Sequence, residues 1–175
     1  MDTYREGRNA WRRHRSTPLP EDPTYQQWLD RSRPGPSEIA AIEAAVAGTA
    51  NTRRVVVVAV GPGDPAPLRE SVSTQLWPHV ELIEMRDGWS NPGSGIADDD
   101  MVVLLRPTDR LEPEAAFRIA DAMWEQPHLD LVTFDDDAPV GSDVEPRFHP
   151  AWSPEILWSA NYQGRAFAIR AVPAR

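Results

Sequence analysis

Apolar and polar positions fall into blocks along this chain, and the block that opens at Val55 is the clearest. Val55–Val60 reads VVVVAV. A half-exposed strand alternates apolar with polar residues, so an unbroken β-branched run marks a strand buried on both faces. Asp64-Pro65 then opens a helix, with Leu68, Val72 and Leu76 repeating every four residues. Val80–Met85 (VELIEM) reads as a second strand and Met101–Leu105 (MVVLL) as a third. Residues 113–126 form an amphipathic helix carrying Ala116, Ile119, Ala120 and Met123, and Pro127 ends the pattern. Residues 129–134 (LDLVTF) make a fourth strand. Strands and helices in alternation predict an α/β fold, a three-layer and mostly parallel sheet with helices on both faces.

Ahead of this block the pattern is different. Residues 16–22 (STPLPED) are a Pro-rich connector. A short helix is expected from Pro23, which suits a first turn, to about Arg31. Pro34-Gly35-Pro36 breaks the chain, and Ser37 is placed to cap a helix to Ala47, with Ile39, Ile42 and Val46 on one face and Gly48 as its stop. The chain thus divides at 1–54, a helical arm with its connector, and 55–175, the α/β domain.

Charge follows the same division. Of the 175 residues, 18 are basic and 27 acidic, and every basic one is Arg. Residues 1–54 hold nine Arg against seven acids, and residues 55–175 nine against twenty. An acidic body lacks the basic face that a nucleic-acid binder needs. The Arg-rich start (Arg5, Arg8, Arg12, Arg13, Arg15) reads as a solvated or frayed helix, with contact to an anionic surface or RNA as the alternative. Without Lys there is no Schiff-base or P-loop lysine, and without Cys no disulfide, thiolate site or cysteine nucleophile. The longest apolar run is far short of the ~20 residues that span a bilayer, and the basic start is followed by no apolar signal core.

Chemistry is expected where parallel strands end, because ligands of open α/β sheets sit outside the carboxyl ends of the strands. Those ends carry Gly61-Pro62-Gly63-Asp64, Arg86-Asp87-Gly88, Arg106-Pro107-Thr108-Asp109 and Asp135-Asp136-Asp137. Asp135 and Asp137 share a face if their strand continues, and hard cations such as Mg²⁺ or Mn²⁺ take such carboxylates; an acidic loop without metal is the alternative. Gly61-Pro62-Gly63 reads as a tight turn rather than a phosphate cradle, since Pro62, Pro65 and Pro67 offer no N–H. Asp98-Asp99-Asp100 falls at the start of a strand, on the opposite edge, and reads as a solvated turn. His14, His79, His128 and His149 form no pair at metal-ligand spacing, and no catalytic residue is assigned.

The segment from Leu131 to Arg170 carries Asp135–Asp137, Phe148, Pro150, Trp152, Ser153, Pro154, Glu155, Leu157, Asn161, Tyr162, Gly164 and Arg170 in order. With these residues it resembles family-2 glycosyltransferases of the rhamnosyltransferase and O-antigen type. Upstream, Tyr25 to Leu29, the Gln75-Leu76-Trp77-Pro78 connection, and Leu111, Pro113 and Ala115 are similar to the same family, so the likeness runs from about residue 23 to the end. It implies a GT-A fold that transfers a sugar from a nucleotide-sugar to a glycan or lipid-linked acceptor. It also implies donor contacts at Gly61, Asp64, Arg86, Asp87, Arg106 and Asp109, with Asp109, Asp135 and Asp137 as metal ligands for Mg²⁺ or Mn²⁺, or no cation at all. Trp152, Asn161 and Tyr162 fall on the acceptor or partner side. Sugar nucleotides imply a cytoplasmic setting, including the inner membrane face.

The departures from the family pattern matter as much. Arg86 replaces an acid that helps hold the nucleobase, and the metal motif is reduced to Arg106-Pro107-Thr108-Asp109. The stretch between Asp87 and Met101 is short, and the family's catalytic-base motif is expected beyond Arg175. The sequence therefore predicts a shortened domain, inactive or incomplete alone, or completed by a second polypeptide. Arg86 and Arg106 suggest a metal-independent hold on diphosphate. A non-catalytic scaffold or partner-binding module is the alternative, and a phosphotransfer or hydrolase site on Asp135 and Asp137 a third reading.

Overall fold

A computed structural model of the chain describes residues 23–85, 95–141, 143–149, 153–160, 162, 164–165 and 167–172. They fall into two compact units, one drawn from residues 1–50 and 136–148, the other from residues 51–135 and 149–175.

In the first unit, helix α1 (Tyr25–Ser32) begins two residues later than Pro23 would start it. Thr24 is the reason: its hydroxyl accepts the Gln27 N–H at 3.3 Å while the Gln27 side chain accepts the Thr24 N–H at 3.0 Å. This reciprocal cap satisfies two otherwise orphaned donors. Helix α2 (Pro36–Gly48) is likewise capped by Gly35 and not by Ser37, which lies within the first turn. The Glu38 carboxylate takes the Gly35 N–H at 2.7 Å.

The same unit holds a hairpin that the pattern did not announce, β5 (Asp136–Val140) and β6 (Asp143–Arg147), paired antiparallel as a two-stranded sheet. Asp, Gly and Pro are poor strand residues, but in two strands every position is on an edge, so Pro139 and Pro146 are tolerated. Asp136 faces Arg147 across the pair at 3.7 Å. The hairpin docks on α1: Tyr25 Oη donates to Asp137 Oδ2 at 2.9 Å, and Trp28 meets Phe148 edge-on at 6.0 Å.

The second unit is a five-stranded sheet with helices, an α/β fold. Its strands are β1 (Val55–Val60), β2 (Val80–Met85), β3 (Met101–Leu105), β4 (Leu131–Thr133) and β7 (Phe167–Arg170), in the order β2-β1-β3-β7-β4. β1 pairs parallel with β2 and β3. β7 runs antiparallel to both β3 and β4. Four strands therefore share one direction, and β7 is inserted against them. Val55 to Ala59 are buried, as a central strand covered on both faces requires.

Helix α3 (Ala66–Ser73) buries Leu68 and Val72 but stops before Leu76. Helix α4 (Ala115–Glu125) packs on β1 and buries Ala116, Phe117, Ile119, Ala120 and Met123. Trp77 is 1% exposed, tilted against Phe117, and donates its indole N–H to the Arg53 carbonyl at 2.9 Å. The short helix α5 (Pro154–Ser159) is capped by Ser153.

At the amino edge of the sheet, Asp98 and Asp99 form an exposed turn as expected, but the reading of Asp98-Asp99-Asp100 as a solvated turn is corrected at Asp100. Asp100 is 3% exposed. Arg54 Nε stands 3.1 Å from both of its carboxylate oxygens, and the Ala97 N–H donates to it at 2.6 Å. The same guanidinium reaches Glu81 and the Gly95 carbonyl. Hydrogen bonding to Asp100 is the main cause that raises the Arg54 pKa above the ordinary arginine value. A buried carboxylate survives only when paired and hydrogen-bonded, and the partner lies 46 residues upstream.

Candidate functional site

Because β1, β2, β3 and β4 run the same way, their carboxyl ends lie along one edge. From β1 the chain goes to β2 on one side and then to β3 on the other, so strand order reverses between β1 and β3. The crevice outside such a reversal is where open α/β sheets bind ligands. Here the two walls at that position are the segments after β1 and β3, residues 61–64 and 106–109.

The two walls abut. Gly63 has φ +137°, and a Cβ built there would lie 3.0 Å from Thr108 Cγ2 and 3.7 Å from Pro107. Glycine is thus required both by the dihedral and by the close approach. Gly61, at φ +101°, has open space where its Cβ would be, so a ligand can come up to its backbone. Asp64 turns back on its own helix, accepting the Ala66 N–H at 3.0 Å.

Residues 106–109 close a tight turn. Asp109 Oδ2 accepts the Arg106 N–H at 2.8 Å and the Asp109 N–H donates to the Arg106 carbonyl at 3.0 Å. Pro107 is buried beneath, while Arg106 and Thr108 are exposed. The turn is held from behind by α3 and the segment that follows it. Buried Ser71 accepts the Leu111 N–H at 3.2 Å, and Arg110 pairs with Glu70 at 2.9 Å. Gln75 donates to the Glu112 carbonyl at 2.8 Å and accepts the Ala116 N–H at 2.9 Å, while the Leu76 N–H donates to the Pro113 carbonyl. The segments around Gln75 and around Leu111 to Ala115 therefore interlock, and their job is to hold the 106–109 turn against the end of β1.

Arg165 joins the site from the segment before β7. Its Nη2 stands 3.5 Å from Asp109 Oδ2, with 43% of the Arg165 side chain and 30% of the Asp109 side chain exposed. Sequence reasoning missed Arg165. The only signal was its place just after Gly164, whose φ of +57° marks the turn into β7. Arg170, at the other end of β7, is structural: it is 7% exposed and donates to the carbonyls of Pro127 and Leu129 and to Asp130.

Two of the three acids read as metal ligands, Asp109 and Asp135, are not side by side. β7 lies between β3 and β4, which at two strand spacings separates the strand ends that lead to Asp109 and Asp135 by about 10 Å. The strand that carries Asp135 does not continue through Asp137: β4 ends at Thr133, and Asp137 belongs to the hairpin of the other unit. Asp135 Oδ1 accepts the His149 N–H at 2.8 Å, His149 Nδ1 meets the Tyr162 carbonyl at 2.9 Å, and Tyr162 Oη accepts the Ser153 N–H at 2.7 Å. Among the described residues, no group of three His, Cys, Asp or Glu side chains is arranged to hold a metal ion. Arg86, Asp87, Trp152 and Asn161 lie outside the described residues.

No helix among the described residues is long and apolar enough to cross a membrane. No family model matches the chain, and no solved structure matches it. Among curated proteins, the chain is 34% identical over 83 residues to the O-antigen biosynthesis protein RfbC of Myxococcus xanthus. That stretch is 46% of this chain and 6% of the relative, so the chain spans a small part of the protein it matches. An α/β sheet with a strand-order reversal between β1 and β3 is thus joined to a partial likeness to a protein of O-antigen biosynthesis.

Proposed function

We propose that this chain is a GT-A-like, family-2 glycosyltransferase domain. It binds a nucleotide-sugar at the carboxyl edge of the sheet for transfer to a glycan or lipid-linked acceptor in the cytoplasm. The abutting 61–64 and 106–109 turns at the strand-order reversal support this reading most directly, together with the partial likeness to RfbC. Such a transfer needs the acceptor hydroxyl deprotonated, the departing diphosphate stabilised and the two substrates held in line. The residues described here serve the second and third needs: the turn around Asp109 fixes Arg106, and Gly61 leaves backbone open to a donor. No base is assigned among them, and we propose that the domain is inactive or incomplete by itself.

The acids do not fit the divalent cation that the family likeness implies. Asp109 is already paired with Arg165, and Asp135 and Asp137 are each hydrogen-bonded elsewhere. No step is therefore assigned to a metal.

Calorimetric titration of UDP-, GDP- and dTDP-sugars tests the reading. Binding of at least one of them supports it, and no binding of any overturns it. A second reading, a partner-binding module of glycosyltransferase descent, is favoured by α5, where Trp158 is 87% exposed and Ile156 44%. A chain that binds no nucleotide-sugar, but whose Trp158 fluorescence shifts on meeting a purified partner, fits that reading instead.

A further inference from the structure

We infer that Arg106 and Arg165 form a cation-independent seat for the diphosphate of the donor, with Asp109 as its positioning residue; the inference rests on the nucleotide-sugar reading and deepens it. The Arg165 head is tied to the backbone of Arg106 through one atom. Asp109 Oδ2 holds the backbone N–H of Arg106 at 2.8 Å and the Arg165 head at 3.5 Å. The turn that fixes where Arg106 begins therefore also fixes where Arg165 ends. Arg165 keeps 43% of its side chain exposed, so most of its donors remain open beyond the Asp109 contact.

Charge accounting around this edge points the same way. Arg69 is paired with Glu84, and Arg110 with Glu70. Among the described residues, the Arg106 guanidinium has no carboxylate partner, and it is exposed. Arg106 and Arg165 stand against Asp64 and Asp109 here, so this edge is neutral in a chain whose net charge is −9, and both aspartates are already hydrogen-bonded, to the N–H groups of Ala66 and Arg106. An exposed guanidinium without a carboxylate partner among the described residues, on an otherwise acidic body, is suited to an anion. Two guanidinium forks suit a diphosphate because each offers parallel N–H donors to paired phosphate oxygens. A divalent cation at the same place is opposed by both arginines, and its one carboxylate is already engaged.

The full chain is titrated calorimetrically with UDP, GDP, dTDP and inorganic pyrophosphate, once in EDTA and once in Mn²⁺. Expected is binding in EDTA that Mn²⁺ changes by less than about twofold. Arg106→Ala and Arg165→Ala are each expected to weaken it about tenfold or more, the loss of one charge-assisted bidentate contact. Arg165→Lys does not restore it, because a point charge lacks the fork. Urea midpoints of the variants separate this from a purely structural role, which would move stability and leave affinity alone. Binding that requires Mn²⁺ and ignores both substitutions overturns the inference while leaving the nucleotide-sugar reading standing. No binding of any nucleotide in either condition overturns both.

Discussion

Replacing Arg54 with Ala strands a carboxylate. The Asp100 side chain is 4% exposed, and without the guanidinium it keeps only the Ala97 N–H at 2.6 Å among the side-chain contacts described above. Breaking a buried ion pair by removing one member costs about 3–5 kcal/mol. Arg54 is itself 31% exposed, which dilutes the pairing and places the expected loss near the lower end, at about 3 kcal/mol. The reverse change is milder. In Asp100→Ala the guanidinium retains Glu81 and the Gly95 carbonyl and has solvent at its exposed third, so about 1–2 kcal/mol is expected. A domain stable by about 5–15 kcal/mol survives either change. Urea unfolding, with a slope of about 2 kcal/mol per molar, reads the Arg54 variant as a midpoint lowered by about 1.5 M. The double variant should cost less than the two single ones together, since each removes the same contact. Equal losses for the two single variants, or strict additivity, would refute the idea that a buried Asp100 depends on Arg54.

Other substitutions probe the candidate site and its support. Gly63→Ala should cost about 1–3 kcal/mol from its dihedral, plus the push on Thr108, whereas Gly61→Ala meets only the dihedral term; thermal melts of the pair measure the difference, and Thr108→Ser should recover part of it. Arg170→Ala leaves the carbonyls of Pro127 and Leu129 without their donor, for an expected loss of about 2–4 kcal/mol that Arg170→Lys does not restore. Tyr162→Phe removes the acceptor for the Ser153 N–H and should cost about 1 kcal/mol in urea unfolding. On pH, the Arg54 pKa is raised in the folded state by Asp100. Its contribution is complete below the ordinary arginine range and is lost only as pH rises through the higher folded value. Unfolding followed from neutral to mildly alkaline pH should therefore show no step from Arg54 ionisation.

Local pattern alone determined much of this protein. The β-branched run at 55–60 has no other stable setting than a covered strand, and VELIEM and MVVLL end where β2 and β3 end, because polar residues, Gly and Pro follow at once. Helix ends were less legible: α1 starts behind Thr24 and not at Pro23, and α2 behind Gly35 and not Ser37, because the start is decided by which side chains, here those of Thr24, Gln27 and Glu38, reach a backbone N–H. Strand direction lay beyond local reach. Nothing in the four residues of β7 says that they insert antiparallel between β3 and β4, since pairing is set by the partners' free edges and by chain that returns from far away. That insertion parts the strand ends leading to Asp109 and Asp135, two of the acids grouped on paper as metal ligands. The fate of charge was also tertiary. Three consecutive aspartates look solvated in any local reading, yet Asp100 is buried because Arg54 reaches it across the sheet's amino edge. In the same way Asp109 is committed by Arg165, 56 residues further along the chain. Sequence periodicity reports which atoms prefer to leave water; only the folded chain decides which charge meets which.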